Sequence, residues 1–359
     1  MYLWEKLIQQ NYIMGNLQVK FFQVGCGDAI SIRFKGNDEK FHNILVDGGE
    51  KQKFKNGLRT EIETIVTNNE NIDLWIITHI DGDHIGSILA FIEDNHKRLL
   101  KKVDFSKTTF WYNSANKMDK EVVLSENNSI SVPQGIRLRD YLAKNSILCE
   151  KILNTDSAKD FFGAKITVLS PNQEKYSAML EYWEEEEKKR EVSAKTSDYK
   201  TKLDSFDLSK FEEDKAIPNG SSIAFLFEYQ EFKILFLADS HPTVIIESLK
   251  KLGFNTTNNK LKLDYMQVAH HGSKGNTNDE LLQLIDCQNF IISADGINAD
   301  NLPNKETLVR IIKNKNTQPI RFLITEQNNT TDSIFDVDSK LADVICEFPK
   351  NNQYITITK

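Results

Sequence analysis

Short apolar runs alternate with longer stretches of helical period along most of the chain. Runs of four to seven residues, rich in Val, Ile, Leu and Phe and bounded by Gly, Asp, Asn or Pro, predict ten strands. These cover Val19–Val24, Ala29–Phe34, Asn43–Val46, Leu74–Thr78 and Ile166–Leu169, then Ile223–Tyr229, Lys233–Ala238, Tyr265–Ala269, Phe290–Ala294 and Arg321–Thr325. Apolar residues at helical spacing predict helices over Thr60–Asn68, Ile85–Asp94, Val244–Leu252, Asp279–Ile285 and Glu306–Asn314. Strands that are apolar on both faces must be covered from both sides, so the pattern predicts a layered α/β protein.

The stretch from about 96 to 217 breaks the rhythm. Tyr176, Met179, Leu180 and Trp183 recur at helical spacing and run into Glu184–Glu187, Lys188, Lys189 and Arg190. This reads as one amphipathic helix with a charged end, inside an insertion. A solvated helix end and a protein-binding arm over 176–212 both fit the charge run.

Composition narrows the class. The chain has 359 residues, 40% hydrophobic and 27% charged, with 45 basic against 52 acidic side chains and a net charge of −7. Such a chain is globular, and bulk positive charge cannot be what holds it on nucleic acid. No apolar run approaches the roughly 18 residues of a membrane helix. The N-terminus, with Glu5 and Lys6, has no signal-peptide core, so no membrane association and a cytoplasmic location are expected. Cys26, Cys149, Cys287 and Cys346 are far apart and make no CxxC pair; reduced thiols are expected.

The chemistry is concentrated where a buried strand ends, at Thr78-His79-Ile80-Asp81-Gly82-Asp83-His84-Ile85-Gly86. Imidazole and carboxylate donors suit Zn²⁺, Mn²⁺ or Fe²⁺. In a tight loop His79 and Asp81 can face one way and Asp83 and His84 the other, serving two adjacent ions. A polar loop with an Asp helix cap explains one carboxylate, not four ligand-type residues in six positions. Two later strands deliver Asp239 and His270-His271-Gly272-Ser273 to their C-terminal ends.

These residues, His79-x-Asp81-x-Asp83-His84, then Asp239, then His270, resemble the metallo-β-lactamase superfamily. The finer resemblance is to its competence-type branch, the hydrolase domain of ComEC-like DNA-uptake proteins. It is carried by Phe22 to Ile30, Leu45 to Gly49, Thr78 to Gly86, Ile166 to Pro171, Asn219 to Ile223, Phe236 to Asp239 and His270 to Ser273. It spans roughly residues 18–95 and 163–325. The membrane part of those proteins is missing, so DNA uptake is not expected.

The resemblance implies one domain over 1–359, a four-layer αββα sandwich with the 96–217 insertion, and two divalent metal ions, Zn²⁺ or Mn²⁺. It assigns His79, Asp81, Asp83, His84, Asp239 and His270 as metal ligands. The usual extra histidine between His84 and Asp239 is missing, since only His96 lies there. One position, offered only His79, Asp81 and the shared Asp239, is therefore expected to be weak, and the other takes Asp83, His84, Asp239 and His270. Asp83 orients an activated hydroxide, and His271, if not itself a ligand, protonates the leaving oxygen. Asp47, Asn219, Ser273 and Lys274 are the candidate substrate contacts. Asp28 is either an Asx-turn residue or a site residue, Cys26 a packed thiol, His241 a neighbour of the site, and His42 a surface residue. The implied activity is metal-dependent hydrolysis, with DNA or RNA phosphodiesters as first choice and Lys97, Arg98, Lys101 and Lys102 as a possible backbone track. A small phosphoester, phosphonate or lactone is the second choice, and an inactive scaffold is the alternative that is not an enzyme.

Overall fold

The computed structural model describes residues 15–359 except 94–96, 115–130, 156–157, 186–196, 299, 315–318, 339–340 and 351–352. His96 and the Glu186–Arg190 part of the charge run lie outside the described residues.

Two sheets face each other. The first has seven strands in the order Tyr354–Thr358, Leu17–Phe22, Ala29–Lys35, Phe41–Asp47, Leu74–Ile77, Thr109–Tyr112, Cys149–Glu150. The second has eight, in the order Val344–Glu347, Ile320–Ile324, Asn289–Ile292, Tyr265–Gln267, Phe232–Phe236, Ala224–Tyr229, Ala164–Ser170, Lys159–Phe161. Side-chain alternation along each strand sorts the apolar residues into three cores. Ile44 and Ile76 point between the sheets and meet Val168, Phe225, Phe236 and Ile291. Their neighbours Leu45 and Trp75 point outward, under the helices Leu58–Thr67, Gly82–Glu93, Ser131–Lys144 and Gln173–Glu185. On the far side, Leu235, Met266, Phe290 and Phe322 lie under Pro242–Lys251, Asp279–Leu284 and Lys305–Asn314. The layers are thus helix, sheet, sheet, helix, as expected.

The stretch 96–217 does more than interrupt this frame. It supplies the strands at one edge of each sheet and two covering helices. Met179 and Trp183 of Gln173–Glu185 are buried in the outer core of the first sheet, with Trp183 closing on Gly135. Residues 198–216 then cross the helix Lys305–Asn314. Asp198 accepts the backbone N–H groups of Lys305 and Glu306 at 2.9 and 3.0 Å, capping that helix. The buried guanidinium of Arg310 donates to the carbonyls of Leu208 and Lys210 and to Asp279, at 3.1, 3.2 and 2.9 Å.

His42, expected at the surface, is buried. Its ring stacks on Phe162 at 3.6 Å between centroids, and its Nε2 is 3.0 Å from Asp38 Oδ1. Among the described residues no helix is long and apolar enough to cross a membrane.

Candidate metal centre

The signature loop sits where the strand Leu74–Ile77 hands over to the helix Gly82–Glu93. Asp81 O accepts from the N–H groups of His84 and Ile85, both at 3.0 Å, which starts the helix and fixes the bend. His84 O in turn accepts from Gly48 and Gly49, binding the loop to the end of the strand Phe41–Asp47. Gly27 passes so close that a Cβ there would lie 2.3 Å from Asp83 O, so only glycine fits. Across the sandwich, His270 and His271 are consecutive left-handed residues, with φ of 49° and 53°. His270 N–H donates to Ala238 O at 2.7 Å and Ser273 N–H to His270 O at 2.8 Å, which hold this strained turn in place. The two imidazoles therefore separate to different sides of Asp239.

Two groups of donors result. His79 Nε2 is 3.6 Å from both Asp81 Oδ2 and Asp239 Oδ2, and His270 Nε2 is 3.6 Å from the same Asp239 oxygen. The other Asp239 oxygen, Oδ1, lies 3.5 Å from His84 Nε2 and 3.6 Å from His271 Nε2. His271 Nε2 is also 3.3 Å from Asp83 Oδ2 and 3.3 Å from His84 Nε2. Ligand atoms placed tetrahedrally around a cation at about 2.0–2.2 Å lie about 3.3–3.6 Å apart. His79 Nε2 and Asp239 Oδ1 are buried and make no hydrogen bond, so both are free to ligate. The donor set fits two divalent ions bridged by Asp239.

The electrostatics point the same way. Burial opposes charge on His84, yet Asp239, Asp47 and Asp83 outweigh it and raise its pKa well above the ordinary value. His270 is likewise disfavoured by burial but pushed up to about 10 by Asp239 and Asp214, and His271 is raised against burial by Asp239 and Asp83. Burial disfavours the charged carboxylates of Asp83 and Asp239, but the surrounding imidazoles hold both below the usual range. So dense a cluster of buried carboxylates attracts positive charge, which protons supply when cations do not.

Surrounding polar groups aim the donors. Asp47 is fully buried and accepts from Thr78 N–H and Oγ1 at 2.8 and 2.5 Å, with its Oδ2 also 2.8 Å from His84 Nδ1. Expected to contact substrate, it instead stands behind His84, with both oxygens engaged. His79 Nδ1 is 3.2 Å from Ser222 Oγ. Gln267 donates to Asp28 Oδ2 at 2.7 Å, and burial raises the pKa of Asp28. Cys26 is a buried thiol whose pKa is raised by burial and by Asp83. Asn219 donates to Asp214 at 2.7 Å, and its amide nitrogen is 3.4 Å from His270 Nδ1. Ser273 is half-buried just after the histidines, whereas Lys274 is exposed with its amine 3.6 Å from Glu306. His241 is buried beside Gly220 with neither ring nitrogen hydrogen-bonded. Asp214, Asn276, Gln267 and Ser222 carried no sequence signal, because each is an ordinary polar residue until the fold brings it to a histidine or to Asp28.

His270 Nε2 approaches the Asp239 oxygen that also faces His79, whereas His271 Nε2 approaches Asp83, His84 and the other Asp239 oxygen.

The family described as "Metallo-beta-lactamase superfamily" matches residues 40–134, and the sandwich has that family's fold. The competence-type resemblance is borne out by "ComE operon protein 3" of Bacillus subtilis (strain 168), 37% identical over 70 residues. That match covers 20% of this chain and 8% of the relative. Among solved structures, CmlA, a diiron β-hydroxylase from Streptomyces venezuelae, is similar over 95% of this chain and 54% of that one, at 12% identity and a TM-score of 0.42. A long form RNase Z from yeast is similar over 96% and 42%, at 10% identity and a TM-score of 0.40. The chain thus spans about half or less of these relatives' lengths.

Proposed function

We propose that this chain is a two-metal hydrolase of phosphodiester bonds. The observation that carries the reading is Asp239, whose Oδ2 lies 3.6 Å from His79 and His270 and whose Oδ1 lies 3.5 and 3.6 Å from His84 and His271, with Asp81 beside His79 and Asp83 beside His271. His79, Asp81, His270 and Asp239 would hold one ion, and Asp83, His84, His271 and Asp239 the other. Such a pair, when bound, acidifies water and stabilises charge on a phosphoryl group. Asp81 and Asp83 keep about a third of their side chains exposed, so they mark the open side where substrate enters. Asp47 holds His84 in one tautomer through Nδ1, leaving Nε2 for the ion. His271 Nε2 belongs to the donor group, so the same atom cannot also carry a proton to a leaving oxygen.

A specific observation favours a small phosphoester over a polymer. Near Asp83 the surroundings are acidic: burial, then Asp295 and Asp83, raise the pKa of Glu50. Lys53 is 3.5 Å from Glu326 and Lys274 is 3.6 Å from Glu306, so neither cation is free for phosphate. Lys101 and Lys102 are exposed and follow the far end of the helix Gly82–Glu93, whose first turn carries Asp83.

The test is metal-loaded protein, with Mn²⁺ or Zn²⁺, against single-stranded DNA, double-stranded DNA, RNA and bis(p-nitrophenyl) phosphate. Cleavage of the small diester is expected in every case. Cleavage of a polymer in addition establishes a nuclease. Inertness toward all four, with both ions bound, refutes the proposal.

A further inference from the structure

Near the end of the segment 198–216, Asp214 sets its carboxylate beside His270. Its backbone N–H donates to Gly275 O at 3.0 Å, tying the segment to the loop after the histidine pair. Asp214 Oδ1 accepts from Ala216 N–H at 2.9 Å. Its Oδ2 accepts from Asn219 Nδ2 and Asn276 Nδ2, at 2.7 and 3.2 Å, and lies 3.3 Å from His270 Nδ1. Asn276 Oδ1 is nearer that nitrogen, at 3.0 Å, and the Asn276 amide that aims it donates to Asp239 O at 3.1 Å and to Asp214 Oδ2 at 3.2 Å. The carboxylate is thus one acceptor beside the ring and one of the groups that hold the other in place.

We propose that Asp214 is a positioning residue for His270. It receives the Nδ1–H, directly and through the orientation of Asn276, and so fixes the ring with Nε2 turned toward Asp239. A histidine held in this way is a better-aimed and more basic ligand, and losing such a partner typically weakens metal binding about 10–100-fold. The segment 198–216, anchored by Asp198 and Arg310, thereby becomes part of the metal centre. Deleting the region 176–212 would then damage the metal site. The inference rests on the two-ion reading of the site and not on the choice of substrate.

The experiment titrates metal-free protein with Zn²⁺ and follows both binding steps calorimetrically. Asp214→Asn keeps the size of the side chain and removes the charge. One of the two ions should bind about 10–100-fold more weakly and the other within about threefold of wild type, while the far-UV circular dichroism of metal-free protein stays that of wild type. Asp214→Glu, which restores a carboxylate, should recover part of the loss. In a His270→Ala background, Asp214→Asn should have no additional effect, because it acts through that ring. Wild-type affinity for both ions in Asp214→Asn overturns the proposal. So does equal weakening of both steps, a changed metal-free fold, or full additivity with His270→Ala. A protein that binds both ions and cleaves no phosphodiester would sink the functional reading and leave this one standing.

Discussion

Arg310→Met tests whether residues 198–216 are built into the fold. Arg310 is among the largest fully buried side chains, and the substitution removes its donors to Leu208 O, Lys210 O and Asp279 Oδ1. Hydrogen bonds from a charged donor contribute roughly 1.5–3 kcal/mol each. The carbonyls and the half-exposed Asp279 regain water once the segment lifts, so the lower figure applies, and three bonds give about 4.5 kcal/mol. Methionine fills part of the space and returns some packing, leaving a loss of about 3–4 kcal/mol. Unfolding entropy of roughly 2.1 cal/mol/K per residue over 359 residues is about 0.75 kcal/mol/K. The midpoint of metal-free protein should then fall by about 4–5 °C in differential scanning calorimetry, and limited proteolysis should open the chain between 198 and 216. A shift below about 1 °C with unchanged proteolysis would show that the segment is only laid on the surface, and the argument would fail.

Other substitutions separate site from scaffold. Asp239→Ala should abolish both hydrolysis and two-ion binding, since it withdraws an oxygen from each donor group; retention of either in a colorimetric diesterase assay or by elemental analysis would contradict the bridge. His42→Ala should keep activity yet destabilise by about 1–2 kcal/mol, because it removes a buried ring stacked on Phe162 and bonded to Asp38; an unchanged thermal midpoint would count against this. Trp183→Ala should cost about 3–5 kcal/mol through the cavity left beside Gly135, and a loss under about 1 kcal/mol in urea unfolding would place that helix outside the core. In chelated protein, His270 is raised from 6.5 to about 10, so its contribution is complete below about pH 6.5 and is lost as pH rises through about 10. Thermal midpoints should fall across that window without metal and stay flatter with it; a midpoint that rises there would reverse the sign.

The strand ends that carry chemistry were legible because ligand residues cluster next to apolar runs, as at Leu74–Ile77 before His79. Cys149–Glu150 and Lys159–Phe161 escaped because two- and three-residue edge strands leave no periodic trace. Ser131–Lys144 escaped because Pro133 and Gly135 read as breakers, although Pro133 lies in the first turn, where no hydrogen-bonded N–H is required. His42 was misjudged since its burial comes from Phe162, about 120 residues away in the chain. The division of His270 and His271 between two ions depends on two successive positive φ angles, which residue types do not announce. The same holds for Asp214, whose meaning comes entirely from contacts across 56 residues of chain.

The first sheet is closed by strands from opposite ends of the described chain. Leu17 and Lys359 exchange a reciprocal pair of backbone bonds, each 3.0 Å, and Leu17–Phe22 lies between Ala29–Lys35 and Tyr354–Thr358. During synthesis the outer edge of Leu17–Phe22 thus waits for residues made some 330 positions later. At about 5–20 residues per second that interval lasts on the order of 20–70 seconds. Throughout it the nascent strand presents unpaired N–H and C=O groups, an invitation to pair with another chain. Lys20, which in the finished protein reaches Glu61 at 2.7 Å, puts a charge in the middle of that strand.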